Sequence, residues 1–318
     1  MSRKTDSVAD LVTTARGGSP RAVARLVSLV EDSSPLLREV MAALAPHTGH
    51  ARIIGITGSP GVGKSTTTNA LVTELRRRGQ RVGVLAVDPS SPFSGGALLG
   101  DRVRMADHAT DAGVFIRSMA SRGHLGGLSW TTPQAVRVLD AAGFDTVVIE
   151  TVGVGQSEVE IAALADTTLV LLAPGMGDGI QAAKAGILEI GDLFVVNKAD
   201  RDGAAHVARD LRAMVSLGQR EAGAWEPEIV KTVASVGTGL DELADALDRH
   251  QAWLAASGQL AGRRTRRARE EIQAIALESV RARWGEVGDR GRLEELAAAV
   301  AAGATDPYSA ADALVGST

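Results

Sequence analysis

The sequence predicts an α/β fold with a mostly parallel sheet, extended by helical segments at both ends. Three observations predict it. Short apolar runs alternate with amphipathic stretches from residue 52 to about 256, a glycine-rich loop joins the first run to the first such stretch, and the segments on either side carry helix-spaced apolar residues without strand-like runs.

Before residue 50, Val8, Leu11, Val12 and Ala15 recur at helix spacing, as do Val23, Leu26, Val27 and Val30. Gly17-Gly18 and Ser33-Ser34-Pro35 divide this stretch into about three short helices. Runs at 53–57, 82–87, 114–116, 146–149, 168–173, 193–196 and 229–233 read as strands. Helical patterns at 65–78, 133–142, 181–190 and 204–217 separate them, as in a parallel sheet covered on both faces. After residue 257 the strands stop and helices are expected over 263–284 and 292–302, with Ile272, Ile275, Ala276 and Val280 as an apolar stripe. The expected division is therefore a helical segment at 1–48, an α/β domain at 49–256 and a helical arm at 257–318. The basic run 262–270 reads as a solvated helix start, because Glu270 and Glu271 follow at once and no aromatics interleave.

With 318 residues, 45% of them hydrophobic, the chain can bury a full core. A net charge of −4 and 3% aromatics argue against a nucleic-acid partner and against attraction to acidic membranes. The absence of cysteine excludes disulfides, thiol nucleophiles and cysteine-based metal sites, and fits a reducing cytoplasm. A polar N-terminus and the lack of a long uncharged run predict a soluble protein.

The chemistry begins after the first strand. Gly58, Ser59, Pro60, Gly61, Val62, Gly63, Lys64 and Ser65 form GxxxxGK[ST], and Thr66 continues into a helix. Glycines let the backbone wrap a phosphate with its N–H groups, and the helix N-terminus adds its positive end. Lys64 is expected to reach the β and γ phosphates and Ser65 to bind Mg²⁺. This is the phosphate loop of a P-loop NTPase in its strand–loop–helix context.

A second group, Asn197-Lys198-Ala199-Asp200, follows the run 193–196. The Asp200 carboxylate can accept two parallel hydrogen bonds from guanine, a pair that adenine cannot supply. Asn197 can tie this loop to the phosphate loop, and the Lys198 stem can cover the base. After the run 229–233, backbone N–H groups around Ser235, Val236 and Gly237 could bond the guanine carbonyl; the same stretch also reads as an ordinary turn with Thr238 capping the helix from Leu240. Asp88 and Glu150 stand at strand ends, before a long polar loop at 88–96 and an ExxG stretch respectively. Each could be a helix cap. Beside a phosphate loop they serve better as metal or metal-water partners, together with Asp101, and Asp88 is also a candidate for orienting the attacking water.

GSPGVGKST, VDPSSPFSGGALLGDRVRM, ETVGVGQSE, PGMGDGIQAAKAGI and NKAD together resemble the MeaB/ArgK family of GTPases, the G-protein chaperones of methylmalonyl-CoA mutase. The resemblance runs through nearly the whole chain. It implies a homodimeric GTPase that binds GTP or GDP with Mg²⁺ and acts on an adenosylcobalamin-dependent mutase, assisting cofactor loading and protecting the enzyme. It also implies a third switch at 176–186, with Asp178, Gln181 and Lys184. A historical label for the family, an arginine/ornithine transport-linked kinase or ATPase, is the alternative; the identity of the phosphate acceptor would separate the two. From the residues alone, the C-terminal helices could pair with a second copy or fold back on their own core.

Overall fold

A computed structural model describes residues 7–88, 106–108, 110–120, 131–151, 157–175, 188–217, 223–287 and 290–315. The loop 89–105 with Asp101, the stretch 152–156 and the proposed third switch at 176–186 lie outside the described residues.

Three helices come first: α1 (Val8–Arg16), α2 (Pro20–Glu31) and α3 (Leu37–Leu44). Ser7 and Ser19 cap the first two by accepting the Asp10 and Ala22 N–H groups, and Pro20 begins α2, where its missing N–H costs nothing. The next elements are β1 (Arg52–Gly58), α4 (Lys64–Arg77), β2 (Val82–Asp88), β3 (Val114–Ala120), α5 (Thr132–Ala141), β4 (Thr146–Thr151), α6 (Ser157–Leu164) and β5 (Thr167–Leu172). Then come β6 (Leu193–Val196), α7 (Ala204–Leu217), β7 (Glu228–Lys231), α8 (Leu240–Ala256), α9 (Gln259–Val287), α10 (Arg290–Ala301) and α11 (Pro307–Val315).

The seven strands form one sheet in the order β3-β2-β4-β1-β5-β6-β7, with every pairing parallel. Alternation along each strand divides the core. Ile53, Leu85, Val147 and Ile149 face one apolar cluster, while Ile54, Ile56, Val84 and Val148 face the other. The first cluster also holds Val12, Val23, Leu26, Val27, Val30 and Leu44, so the N-terminal helices cover one face of the sheet through the stripes read from sequence. Arg117 of β3 reaches Glu31 and Ser28 of α2, adding polar contacts to that apolar seam.

Each expected strand forms, 193–196 with the expected bounds and the others with an end shifted by up to four residues. β3 runs on to Ala120 because it pairs with β2 along its whole length, which a three-residue apolar run did not reveal. Glu150 sits inside β4 and not beyond it, since its backbone is in register with Ile56 on one side and Ala86 on the other. Thr238 does not cap α8: Gly239, left-handed at φ 77°, occupies the cap with no side-chain bond, and the Thr238 carbonyl accepts from Val233 N instead.

The amino ends of the strands are tied by carboxylates. Asp166 accepts the Ile53 N–H at 3.1 Å, Asp192 the Thr168 N–H at 2.9 Å and Asp145 the Arg81 N–H at 2.6 Å. Two of these acids meet the first arginines of the basic run, which corrects its reading as a solvated helix start. Arg263 forms a fork on Asp192 at 2.7 and 2.8 Å, and Arg264 bonds Asp166 at 3.2 Å and the carbonyls of Gly49 and Ala51. Buried carboxylates need such partners, and sequence spacing does not show which cation will reach them.

The chain forms two compact units, 1–264 and 265–318, so these arginines are the last side chains of the first unit. In the second, Ile272, Leu277 and Val280 are exposed along α9. Among the described residues no helix is long and apolar enough to cross a membrane.

His250 of α8 is fully buried beside the same carboxylates, with Nδ1 2.8 Å from Thr167 Oγ1, and its ring packs against Trp225 and stacks on Trp253. Burial pushes its pKa down from 6.5 to about 4, against the opposing pull of Asp192. Above pH 6.5 the ring is neutral in both folded and unfolded chains. Between 6.5 and 4 the unfolded chain takes up a proton that the folded chain refuses, so stability falls with pH by at most about 1.4 kcal/mol per unit. Urea unfolding of wild type and His250→Gln at pH 7 and pH 4 checks this. The wild type is expected to lose about 3 kcal/mol more than the variant over that interval; equal losses would refute it.

Candidate nucleotide site

The site stands at the carboxyl ends of β1, β4, β6 and β7, the edge where parallel sheets bind ligands. β1 is buried throughout and ends at Gly58, whose φ of 141° and close approach to β5 admit no side chain: a Cβ there would lie 2.4 Å from the Leu171 carbonyl oxygen. The loop 59–63 turns back from this point, and Gly63, left-handed at φ 98°, opens α4. A Cβ on Gly63 would come within 2.5 Å of Asn197 Nδ2, so a base-motif residue packs directly on the phosphate loop.

Lys64 and Ser65 occupy the first turn of α4 and are both buried. The Lys64 ammonium donates to the carbonyls of Gly58 at 2.7 Å and Ser59 at 3.1 Å, so it arches over its own loop. Ser65 Oγ donates to Glu150 Oε1 at 2.6 Å. Register explains this pairing: Glu150 lies opposite Ile56 on the strand beside β1, two residues before the loop begins. A hydroxyl and a carboxylate, both oxygen donors, are the ligand types that a hard divalent cation takes. Among the described residues no group of three or more His, Asp or Glu could hold a metal ion, and a site completed by substrate phosphates and water does not need one. Asp88 is the last residue of β2, a strand that also pairs with β4, which places its backbone at the same edge of the sheet.

The base motif follows β6. Asn197 is 2% exposed and donates from Nδ2 to the Val62 carbonyl at 2.9 Å. Its Oδ1 accepts from Ala234 N at 3.1 Å and from Thr232 Oγ1 at 3.2 Å. Lys198, left-handed at φ 56°, sends its amine to the Gly61 carbonyl at 2.6 Å. Asp200 is exposed at the turn that follows. Ser235 and Val236 belong to a short 3-10 turn, Ala234–Val236, closed by a left-handed Gly237. The structure thus brings Val62, Asn197 and the 232–237 turn together.

Sequence reading missed Thr232, which is fully buried and looks like an ordinary strand residue; only the pairing of β7 with β6 reveals what its hydroxyl meets.

Comparison with known proteins follows the same outline. The sequence profile of the family described as Methylmalonyl Co-A mutase-associated GTPase MeaB matches residues 23–300. A Pyrococcus abyssi protein provisionally named as a GTPase is 47% identical over 309 residues, covering 96% of this chain and 95% of its own length. The Mus musculus protein named methylmalonic aciduria type A homolog, mitochondrial, is 36% identical over 266 residues, covering 82% of this chain and 64% of its own. Among solved structures, one described as a LAO/AO transport system kinase is similar at a TM-score of 0.73 and 28% identity, over 99% of this chain and 98% of that one. A match that begins in α2, takes in the whole sheet and ends in α10 leaves no part of the nucleotide site outside it, and the chain belongs to the MeaB family of GTPases.

Proposed function

We propose that the site binds GTP with Mg²⁺ and hydrolyses it, and that the nucleotide state governs how an adenosylcobalamin-dependent methylmalonyl-CoA mutase loads and keeps its cofactor. The single observation that carries the nucleotide assignment is the contact of Asn197 with Val62, which joins an NKxD loop to a phosphate loop. The family description supports the mutase as partner.

In this reading the N–H groups of residues 59–66 wrap the phosphates, and the helix N-terminus favours their charge. Lys64, already arched over the loop, turns to the β and γ phosphates as charge builds on the bridging oxygen. Ser65 and Glu150 hold Mg²⁺, with Asp88 and Asp101 as further metal or metal-water partners; the ion supplies charge neutralisation at the phosphates. Asp88 also orients the attacking water. Asp200 pairs with the guanine edge, and the turn at Ser235, Val236 and Gly237 offers N–H groups to its carbonyl.

The protein works in the cytoplasm as a homodimer joined through the C-terminal helices, a reading supported by the exposed Ile272, Leu277 and Val280 on α9. The likeness to a structure described as a transport system kinase favours a second reading, in which the γ-phosphate goes to a small-molecule acceptor.

Base recognition is checked by titrating labelled GTP and ATP into wild type and Asp200→Ala. GTP affinity is expected to fall about 100-fold in the variant, with ATP little changed; equal affinities in the wild type would sink the assignment.

For hydrolysis, Lys64→Ala should cost about 10²–10³ in turnover, and Glu150→Ala should shift the Mg²⁺ dependence to higher concentration. An unchanged magnesium curve in the Glu150 variant removes its metal role. Quantitative release of inorganic phosphate without an added acceptor excludes the kinase reading.

The partner role is decided by mixing the full chain with a methylmalonyl-CoA mutase in GDP or a non-hydrolysable GTP analogue. Light scattering should give a dimer alone and a larger complex with mutase, and GTP turnover and cobalamin loading should depend on the mixture. A monomer at micromolar concentration rules out the dimer. No complex in either state, with turnover unchanged, rules out the chaperone role.

A further inference from the structure

We propose that a cleft at the amino edge of the sheet, opposite the candidate nucleotide site, binds a small organic cation: an ammonium or guanidinium carried on an apolar stem. The inference does not depend on the nucleotide reading.

The cleft has a volume of 740 Å³, within the roughly 300–1,000 Å³ of ordinary small-molecule sites. Arg212, Val215 and Ser216 reach it from the end of α7, Trp253 from the last turn of α8, and residues 223–229 from the loop that leads into β7. Its place follows from the topology. A helix that follows a strand of a parallel sheet runs back to the strand origins, so α7 after β6 and α8 after β7 both bring their carbonyl ends here. Two contacts fix the edge: His250, three residues before Trp253, meets Thr167 at the start of β5, and Trp225 Nε1 donates to the carbonyl of Asp192, just before β6.

The aromatic walls offer faces and no donors. Trp225 spends its N–H on Asp192 at 2.8 Å, and Trp253 spends its own on the Gly223 carbonyl at 3.1 Å. The two rings lie 5.8 Å apart, and both pack on the buried His250, at 4.7 and 5.9 Å. A ligand that needs an indole donor finds none. What remains is the ring surface, which carries the negative part of the aromatic quadrupole and attracts positive charge. Val215, Pro227 and Ile229 supply apolar wall for a stem.

Charge decides the sign of the ligand. Among the described lining residues the ionic groups are Arg212, Glu226 and Glu228. Glu228 is held in a fork by Arg249 at 2.9 and 2.5 Å, which leaves the exposed Glu226 and the exposed Arg212 as the charges a ligand meets. Glu226, the two helix ends and the ring faces favour a cation, and Arg212 alone opposes it. Arg212 near the negative end of α7 is itself a cation drawn to that pole, so a ligand of the same sign competes with it.

The test uses the full-length protein and two probes of one shape: choline, and its uncharged carbon isostere 3,3-dimethyl-1-butanol. Binding is read from the NMR indole N–H signals of the four tryptophans, assigned with single Trp→Phe variants. Choline should shift Trp225 and Trp253 and bind about threefold to tenfold more tightly than the isostere. Glu226→Gln should weaken choline, and Arg212→Gln should strengthen it, each about twofold to fivefold for an exposed charge. The isostere should bind both variants as it binds wild type. The ratio of the two probes within one variant is independent of how much of that variant is folded, so a loss of stability cannot imitate the result. The proposal is overturned if choline shifts neither indole beyond what sodium chloride does at equal ionic strength, or if the isostere binds as tightly, since the cleft is then merely apolar. A choline affinity that falls in Arg212→Gln also overturns it, because the charge preference is then for an anion.

Discussion

One buried side-chain amide joins the parts of the nucleotide site. Asn197 takes hydrogen bonds from residues 232 and 234 and gives one to residue 62, so three stretches far apart in sequence are locked by a group 2% exposed. That geometry depends on strand order. With β1, β5, β6 and β7 adjacent and parallel, the phosphate loop, the NKAD loop and the 232–237 turn all leave the sheet at one edge. A sheet with β6 elsewhere would hold the same motifs and build no site.

Register performs the same service on the other side of β1. Ile56 lies opposite Glu150 in β4, so the carboxylate stands within 2.6 Å of the hydroxyl in the first turn of α4. On the β5 side, Gly58 lets the two strands approach until a single methyl would collide with Leu171. The opposite end of the sheet is organised by different chemistry. There Asp166 and Asp192 bond N–H groups of neighbouring strands and take Arg264 and Arg263 as counter-ions, so the start of α9 is bound to the strand origins by paired charge. The two ends of the sheet thus carry separate loads, the candidate nucleotide site at one and ionic fastening at the other.

Much of this was legible in the residues because the forces involved are local. The N-terminal stripes Val8–Val12–Ala15 and Val23–Leu26–Val27–Val30 became buried faces because a helix with an apolar stripe has to cover something. The phosphate loop was legible because its glycines, lysine and serine form one contiguous motif between a strand and a helix. The length of β3 was not, since only its partner β2 stabilises residues 117–120 as strand. Nor was the place of Arg263 and Arg264. A run of basic residues before two glutamates has the pattern of a solvated helix, and what overrides the pattern is a pair of buried carboxylates that lie 71 and 98 residues earlier in the chain. The Thr238 cap failed for a similar reason: pairing with Val233 engages its backbone, and a left-handed Gly239 already makes the turn.

By itself the sequence determined the kind of sheet, the strand–loop–helix that carries the phosphate motif, the order of motifs along the chain and the helical character of both extensions. These follow from periodicity and from residue types whose backbone or charge preferences act within a few positions. The tertiary structure decided which residues meet. The Asn197 amide with Val62, Thr232 and Ala234, Ser65 with Glu150, and the arginines of α9 with the strand-origin carboxylates are long-range pairings. Each is selected by the need to satisfy a buried polar group, and that need exists only once the strands have been placed side by side.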